Sequence, residues 1–425
     1  MKPAWYLFPS FLALASAKKR PTINFPTDTT QPVAWKVSVS PAFINDIVKR
    51  AKLFEPASEF EDGDESNDNW EEGVPRAESA ALKKHWVEEF DWFKRRAHNT
   101  NGYSHYALTV EAGDGYNRPV PLHFVHERSK RKDAIPLLLI HGYPSTFLEW
   151  SKVIKPLASP KNRKDQHFHV VAVDLPGFGF SPAPVLSTLG PKQLAVAFDN
   201  LMQTLGYSKY GVMSTDQGSW SGMWMSYLVP KSLIGHYSDF ASLQPTATDL
   251  ERYAIKQTTK EENLYIGSSQ AFAQGHSSYL QVFVQSPRGI GEALGSTPVG
   301  FAAYPWGIVR NVSGVYELTN DYLITHTILL LLQVACTSIR LYKLAFSPES
   351  KAFGYTEVPT GISRWSWKGG PFPDLDNLPL VVTQVWLERH VNLVHLTTFG
   401  YGGHFPAETR PEEWLRDIRK FFSKL

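Results

Sequence analysis

From Ile135 to Asp216 the chain repeats one local rhythm: a short apolar run, a loop rich in glycine and proline, then a helix-like stretch. The segments are IPLLLIHGYP, HVVAVDLPGFGFSPAP, the helix-like LAVAFDNLMQTLGY, and YGVMSTD. Strands buried on both faces read as continuous apolar runs, and parallel strands need a long crossover between them. This alternation predicts an α/β fold with a mostly parallel sheet. In such sheets chemistry collects at the carboxyl ends of the strands.

One of those strand ends carries VMSTDQGSW, Val212 to Trp220. It has the form of the sharp strand-to-helix turn that presents a nucleophile, with small residues, Ser214 and Gly218, two before and two after the centre. The centre is Asp216. By itself an aspartate there could simply cap the next helix. Two other stretches make that reading insufficient. Gly402-Gly403-His404-Phe405 ends a strand-like run before the last helix, where a base falls in chain order after its nucleophile. His141-Gly142-Tyr143-Pro144 follows the strand IPLLLI, where a loop can supply the backbone N–H of Tyr143 to an oxyanion; the N–H of Gln217, next after Asp216, would be the second donor.

A carboxylate nucleophile forms an ester when it attacks an electrophilic carbon, and water then cleaves that ester. Epoxides and alkyl halides both suit this chemistry. An epoxide needs a proton or a strong hydrogen bond on its leaving oxygen, whereas a halide leaves without one. Phenols are therefore the discriminating feature. Tyr279, in GHSSYLQ, and Tyr342, in SIRLYKLAF, lie in the region between the two halves of the sheet pattern. Either could instead be a core tyrosine with a satisfied hydroxyl.

With these motifs the chain resembles the microsomal-type epoxide hydrolases, in their fungal branch, within the α/β-hydrolase superfamily. The likeness runs over nearly the whole length from about Val33, through WKVSVSPAFINDIVKRAKLFEP, HWVEEFDWFKRRAHN, HGYPSTFLEW and DLPGFGFSPAP. It implies an α/β-hydrolase core, an inserted helical cap and an N-terminal segment wrapping the core. It places the nucleophile on Asp216, the base on His404 and the ring-opening tyrosines on Tyr279 and Tyr342. It implies no cofactor and no metal. Two departures stand out. Gln217 replaces an aromatic or aliphatic residue. The acid that orients the histidine is ambiguous: counting straight from Gly361-Ile362-Ser363 puts Lys368 at its position, while an insertion before Phe372-Pro373 puts Asp374 there, with Asp376 as second choice.

The expected organisation is a signal peptide or anchor at 1–17, an N-terminal region at 18–133, core at 134–233, cap at 234–350 and core again at 351–425. MKPAWYLFPSFLALASAKK has a basic Lys2, a short apolar run and an Ala15-Ser16-Ala17 triplet, the pattern of a secretory leader. Secretion is the expectation, with attachment to the endoplasmic reticulum membrane as alternative. Asn311-Val312-Ser313 would be a glycosylation sequon in that setting. The acidic stretch 57–73 reads as a solvated loop. A net charge of +2, from 43 basic and 41 acidic side chains, argues against a nucleic-acid partner. The single cysteine, Cys336, excludes an internal disulfide. The partners expected are a small-molecule epoxide substrate and water; membrane association through the N-terminus and a homodimer are left open. The alternatives to hydrolysis to a diol are an epoxide-opening cyclase or isomerase, a haloalkane dehalogenase, and an impaired ligand-binding homologue.

Overall fold

A computed structural model of the chain describes residues 22–58, 70, 72–113, 115–314, 316–370, 372, 375 and 382–425. The leader, most of the acidic stretch, and both Asp374 and Asp376 lie outside the described residues.

The apolar runs build one nine-stranded sheet. Its strands are β1 (Val33–Ala34), β2 (His105–Val110), β3 (Val120–Glu127), β4 (Ile135–Ile140), β5 (Phe168–Val173), β6 (Tyr210–Ser214), β7 (Leu233–Ser238), β8 (Thr356–Ser366) and β9 (Val391–Gly402), in the spatial order β1-β2-β3-β5-β4-β6-β7-β8-β9. The first three strands pair antiparallel, as does β3 with β5; every pair from β5 onward is parallel. Leu137 to Ile140 are fully buried, as a central strand covered by helices on both faces requires. Ile140 lies opposite Val173 and Ser214, and Ser214 opposite Ser238. The residues that follow, His141–Tyr143, Asp174, Thr215–Asp216 and Asp239, therefore leave the sheet along one edge.

Asp174 ties this edge together. Its buried carboxylate accepts Phe147 N–H at 2.8 Å and Phe180 N–H at 2.9 Å, and bonds His123 Nδ1 of β3 at 2.7 Å. His123 Nε2 in turn meets His105 Nδ1 of β2 at 2.8 Å. One carboxylate thus joins two loops of the parallel sheet to its antiparallel edge.

The helix Pro41–Lys52 buries Ile44, Ile47 and Ala51 and stops short of Leu53, which is 79% exposed. The next stretch forms two helices, Arg76–Glu88 and Trp92–Asn99. Asp91 Oδ1 accepts the N–H groups of Phe93 and Lys94, capping a new helix there. One expected boundary needs correction. The cap was expected to begin at 234, but LIGHYS is a strand of the sheet, and the first cap helix is Ala247–Ala254. Seven helices between β7 and β8, from Ala247 to Ala345, lie over the strand ends. The apolar run ITHTILLLLQVAC divides at Val334 (φ 69°) into Asn320–Leu332 and Ala335–Ala345. Among the described residues, no single helix is long and apolar enough to cross a membrane. Asn311 of the sequon sits in the last turn of the helix Pro298–Val312 with its side-chain oxygen buried.

Candidate active site

Asp216 follows β6 at the start of the helix Asp216–Leu228, with φ at 44°. A non-glycine residue in this left-handed region stores strain, a pattern that clusters at functional sites. The turn needs close neighbours to be small. A Cβ on Gly218 would lie 2.5 Å from the His141 carbonyl oxygen. A Cβ on Gly142 would lie 2.2 Å from Asp216 Oδ1, so only glycine lets the loop after β4 approach the carboxylate. That approach has a product: the Tyr143 N–H donates to Asp216 Oδ1 at 2.8 Å. His141 fixes the loop, accepting Leu175 N–H on Nε2 at 3.0 Å while Nδ1 meets the Gly142 carbonyl at 2.8 Å.

His404 approaches the other carboxylate oxygen, with Nε2 3.5 Å from Oδ2. The glycines before it deliver it. Gly402 and Gly403 have φ of 114° and 72°, and a Cβ on Gly402 would lie 2.4 Å from the Trp365 ring. The His404 N–H donates to the Val312 carbonyl at 2.8 Å, anchoring the loop to the cap.

Across from this pair stand the two tyrosines. Tyr279 lies on the helix Ser278–Gln285 and Tyr342 on the helix Ala335–Ala345, with ring centroids 6.3 Å apart. The Tyr342 ring also stands edge-on to Tyr143 at 5.3 Å and Phe283 at 5.0 Å. Burial raises both phenols well above the usual range, and the negative charge of Asp216 adds to the effect. Both therefore keep their protons through the ordinary pH range. Asp216, His404, Tyr143, Tyr279 and Tyr342 all line one cavity of about 250 Å³ between sheet and cap. Gln217 is buried beneath it; its side-chain amide makes no hydrogen bond of normal geometry but lies close enough to Tyr342 to favour the ionised phenol. Its backbone N–H, at the start of the helix, has no carbonyl partner within the first turn.

Residues 32–150 match the family model described as the epoxide hydrolase N terminus, and residues 135–238 match the alpha/beta hydrolase fold. A juvenile hormone epoxide hydrolase of Manduca sexta is 29% identical over 382 residues, covering 82% of this chain and 78% of the relative. Epoxide hydrolase 1 of Sus scrofa is 27% identical over 430 residues, covering 92% and 88%. The crystal structure of the juvenile hormone epoxide hydrolase of Bombyx mori superposes with a TM-score of 0.73 at 25% identity, covering 93% of this chain and 95% of that one. The chain is thus similar, over most of its length, to α/β-hydrolase epoxide hydrolases.

The structure thus gathers six of the seven anticipated site residues around one cavity. The seventh, Asp374, lies outside the described residues together with Asp376. Directly after β8, Trp367 stands edge-on to His404 at 6.3 Å, and Lys368 is exposed. Three features near the site were not anticipated: the buried Asp239 at the end of β7, whose charge reaches His404, the buried Glu149, which feels Asp239 and Asp216, and Lys351 at the cavity wall. Asp239 had a signal, since it directly follows a strand adjacent to β6 and so had to emerge beside Asp216.

Proposed function

We propose that the enzyme hydrolyses its epoxide in two steps through an ester on Asp216. The geometry around the carboxylate supports this reading. Tyr143 holds Oδ1, leaving Oδ2 free to attack the epoxide carbon. As the C–O bond breaks, Tyr279 or Tyr342 gives its proton to the leaving oxygen, while the other phenol hydrogen-bonds it. Acid assistance of this kind contributes ~10²–10⁴-fold. His404 then takes a proton from water, and the hydroxide adds to the ester carbonyl carbon. Negative charge develops on Oδ1, the oxygen already facing the Tyr143 N–H, with Gln217 N–H as second donor. Removing one donor of this type costs ~3–4 kcal/mol in the barrier. Collapse releases the diol oxygen, which takes its proton from the imidazolium; Asp216 is left as the carboxylic acid, and its proton returns through solvent to the phenolate. The product is a vicinal diol.

The observation that carries this reading is the placement of the Tyr143 N–H and the His404 ring on opposite oxygens of one carboxylate, with two protonated phenols across the cavity. Product analysis with aryl and long-chain epoxides tests it. A diol, one water heavier than the substrate, is the expected product. An isomer of unchanged mass would point to the cyclase instead.

A further inference from the structure

We propose that Asp239 is the positioning carboxylate for His404 in this enzyme. The inference rests on the two-step reading above. Asp239 directly follows β7, one residue beyond the Ser214–Ser238 register pair, so it emerges beside Thr215 and Asp216. Its neighbour Phe240 stands edge-on to the His404 ring at 5.3 Å. The carboxylate is 6% exposed. Trp414 Nε1–H of the C-terminal helix donates to Oδ2 at 2.9 Å, whereas Oδ1 is buried and closes no hydrogen bond of normal geometry, although the Thr215 side chain is near enough to favour the ionised carboxylate. An unpartnered buried carboxylate oxygen is costly, and such groups call for an explanation. Beside it the Thr215 hydroxyl is likewise buried and closes no hydrogen bond of normal geometry.

The charged and titratable groups acting here are few. The His404 charge stabilises the ionised form of Asp239, while burial dominates and lifts its carboxyl to about 6. Glu149 lies near and is held well above the usual carboxylate range, first by burial and then by Asp239 itself. Tyr237, two residues earlier on β7, feels the same charge but gives its hydroxyl proton to Asp417 at 2.7 Å. With Glu149 neutral, Asp239 is, among the described residues beside His404, the carboxylate placed to respond when His404 takes a proton. Asp239 and His404 are not in ion-pair contact here. The carboxylate acts as a fixed charge that favours the imidazolium and as the acceptor toward which the ring turns. The end of β8, by contrast, presents Trp367 and an exposed Lys368.

The test is the decay of the ester, followed by intact mass and rapid quench in Asp239→Asn, Asp374→Asn and His404→Ala full-length proteins. Asp239→Asn keeps the size of the side chain and the Trp414 contact. It should form the ester normally, then hydrolyse it ~10²–10⁴-fold more slowly, the range for losing support of a general base. The acid limb of ester hydrolysis should move to lower pH, since the imidazolium loses its negative neighbour; a purely structural residue would leave that limb in place. Asp239→Glu should recover part of the rate. Normal ester decay and an unchanged pH profile in Asp239→Asn, with a stalled ester in Asp374→Asn, would overturn the inference alone. No ester in any variant, His404→Ala included, would overturn the two-step reading with it.

A second observation concerns the substrate. Among the described residues lining the cavity, Lys351 is the one lysine or arginine. Its Nζ lies 4.9 Å from the Phe346 ring centre and 5.5 Å from that of Trp220, and no hydrogen bond or ion pair to it is formed among the described residues. Ring faces attract a cation but leave its charge unpaired. We infer that the substrate carries an anionic group, such as a carboxylate, that pairs with Lys351. Phe346 stacks on Tyr342 at 5.6 Å, so this anion site lies two ring steps from the phenol that meets the epoxide oxygen. Within the two-step reading, a long-chain epoxy acid should show a lower KM than its methyl ester. Lys351→Met should reduce kcat/KM for the acid far more than for the ester, and Lys351→Arg should retain the preference. Equal KM for acid and ester in the wild type would overturn this inference, while diol formation from both would leave the two-step reading standing.

Discussion

Gly142→Ala probes the contact on which the site depends. The added Cβ would lie 2.2 Å from Asp216 Oδ1 and 2.4 Å from Asp216 Cβ. Carbon atoms settle at about 3.5–4.0 Å, so the loop or the carboxylate must shift by about 1 Å or more. A displacement of that size pulls the Tyr143 N–H off Oδ1. Misplacing a reacting group by about 1 Å can cost ~10²-fold, and losing one oxyanion donor costs ~10²–10³-fold in kcat. Both losses stem from the same movement and do not multiply, so kcat should fall ~10²–10³-fold. Steady-state diol formation measures the loss, and circular dichroism melting confirms that the variant is folded. Combining the substitution with His404→Ala isolates the first step, because the rate of ester formation can then be read directly. A folded Gly142→Ala enzyme with wild-type turnover would refute the role given to Tyr143.

Four other outcomes follow from the structure. Tyr279→Phe and Tyr342→Phe should each slow ester formation, and the double variant should lose ~10²–10⁴-fold, as measured by single-turnover kinetics. Because both phenols are held protonated, wild-type ester formation should not decline as pH rises toward 10. Gly402→Ala should lower the melting temperature by straining a position at φ 114° and striking Trp365, at a cost of ~1–3 kcal/mol. The fold should also weaken in mild acid. Burial pulls His105, His126 and His326 down to about 4 and His236 to about 3, so all four are neutral when folded. The unfolded chain protonates them near pH 6.5, so their contribution is complete above that pH. It is lost as pH falls from 6.5 toward 4, at ~1.4 kcal/mol per pH unit for each. Thermal melts at pH 7 and pH 5 check this; equal melting temperatures would contradict it.

The parallel strands were readable because burial on both faces writes them as apolar runs, and the elbow because its steric demands leave small residues at fixed offsets. The tyrosines were reached through the chemistry of an epoxide and the family resemblance, since neither carries a local signature. What the sequence hid depends on three-dimensional adjacency. Strand β7 contains Gly235, His236 and Ser238, whose polarity masks a buried strand; only pairing with β6 and β8 explains it. Ser214, read only as a small residue of the elbow, is also bonded to His236 at 2.7 Å, a contact between neighbouring strands. Asp91 restarts a helix through its side chain, which periodicity alone does not register. Asp239 and Lys351 gain meaning only from what they face.

The measurement closest to the central claim is intact-mass spectrometry of His404→Ala after incubation with an epoxide panel, followed by peptide mapping. A stable adduct equal to the epoxide mass and located on Asp216 is the expected result. Diol formation by this variant at the wild-type rate, or an adduct on another residue, would contradict the assignment of Asp216 as nucleophile and His404 as base.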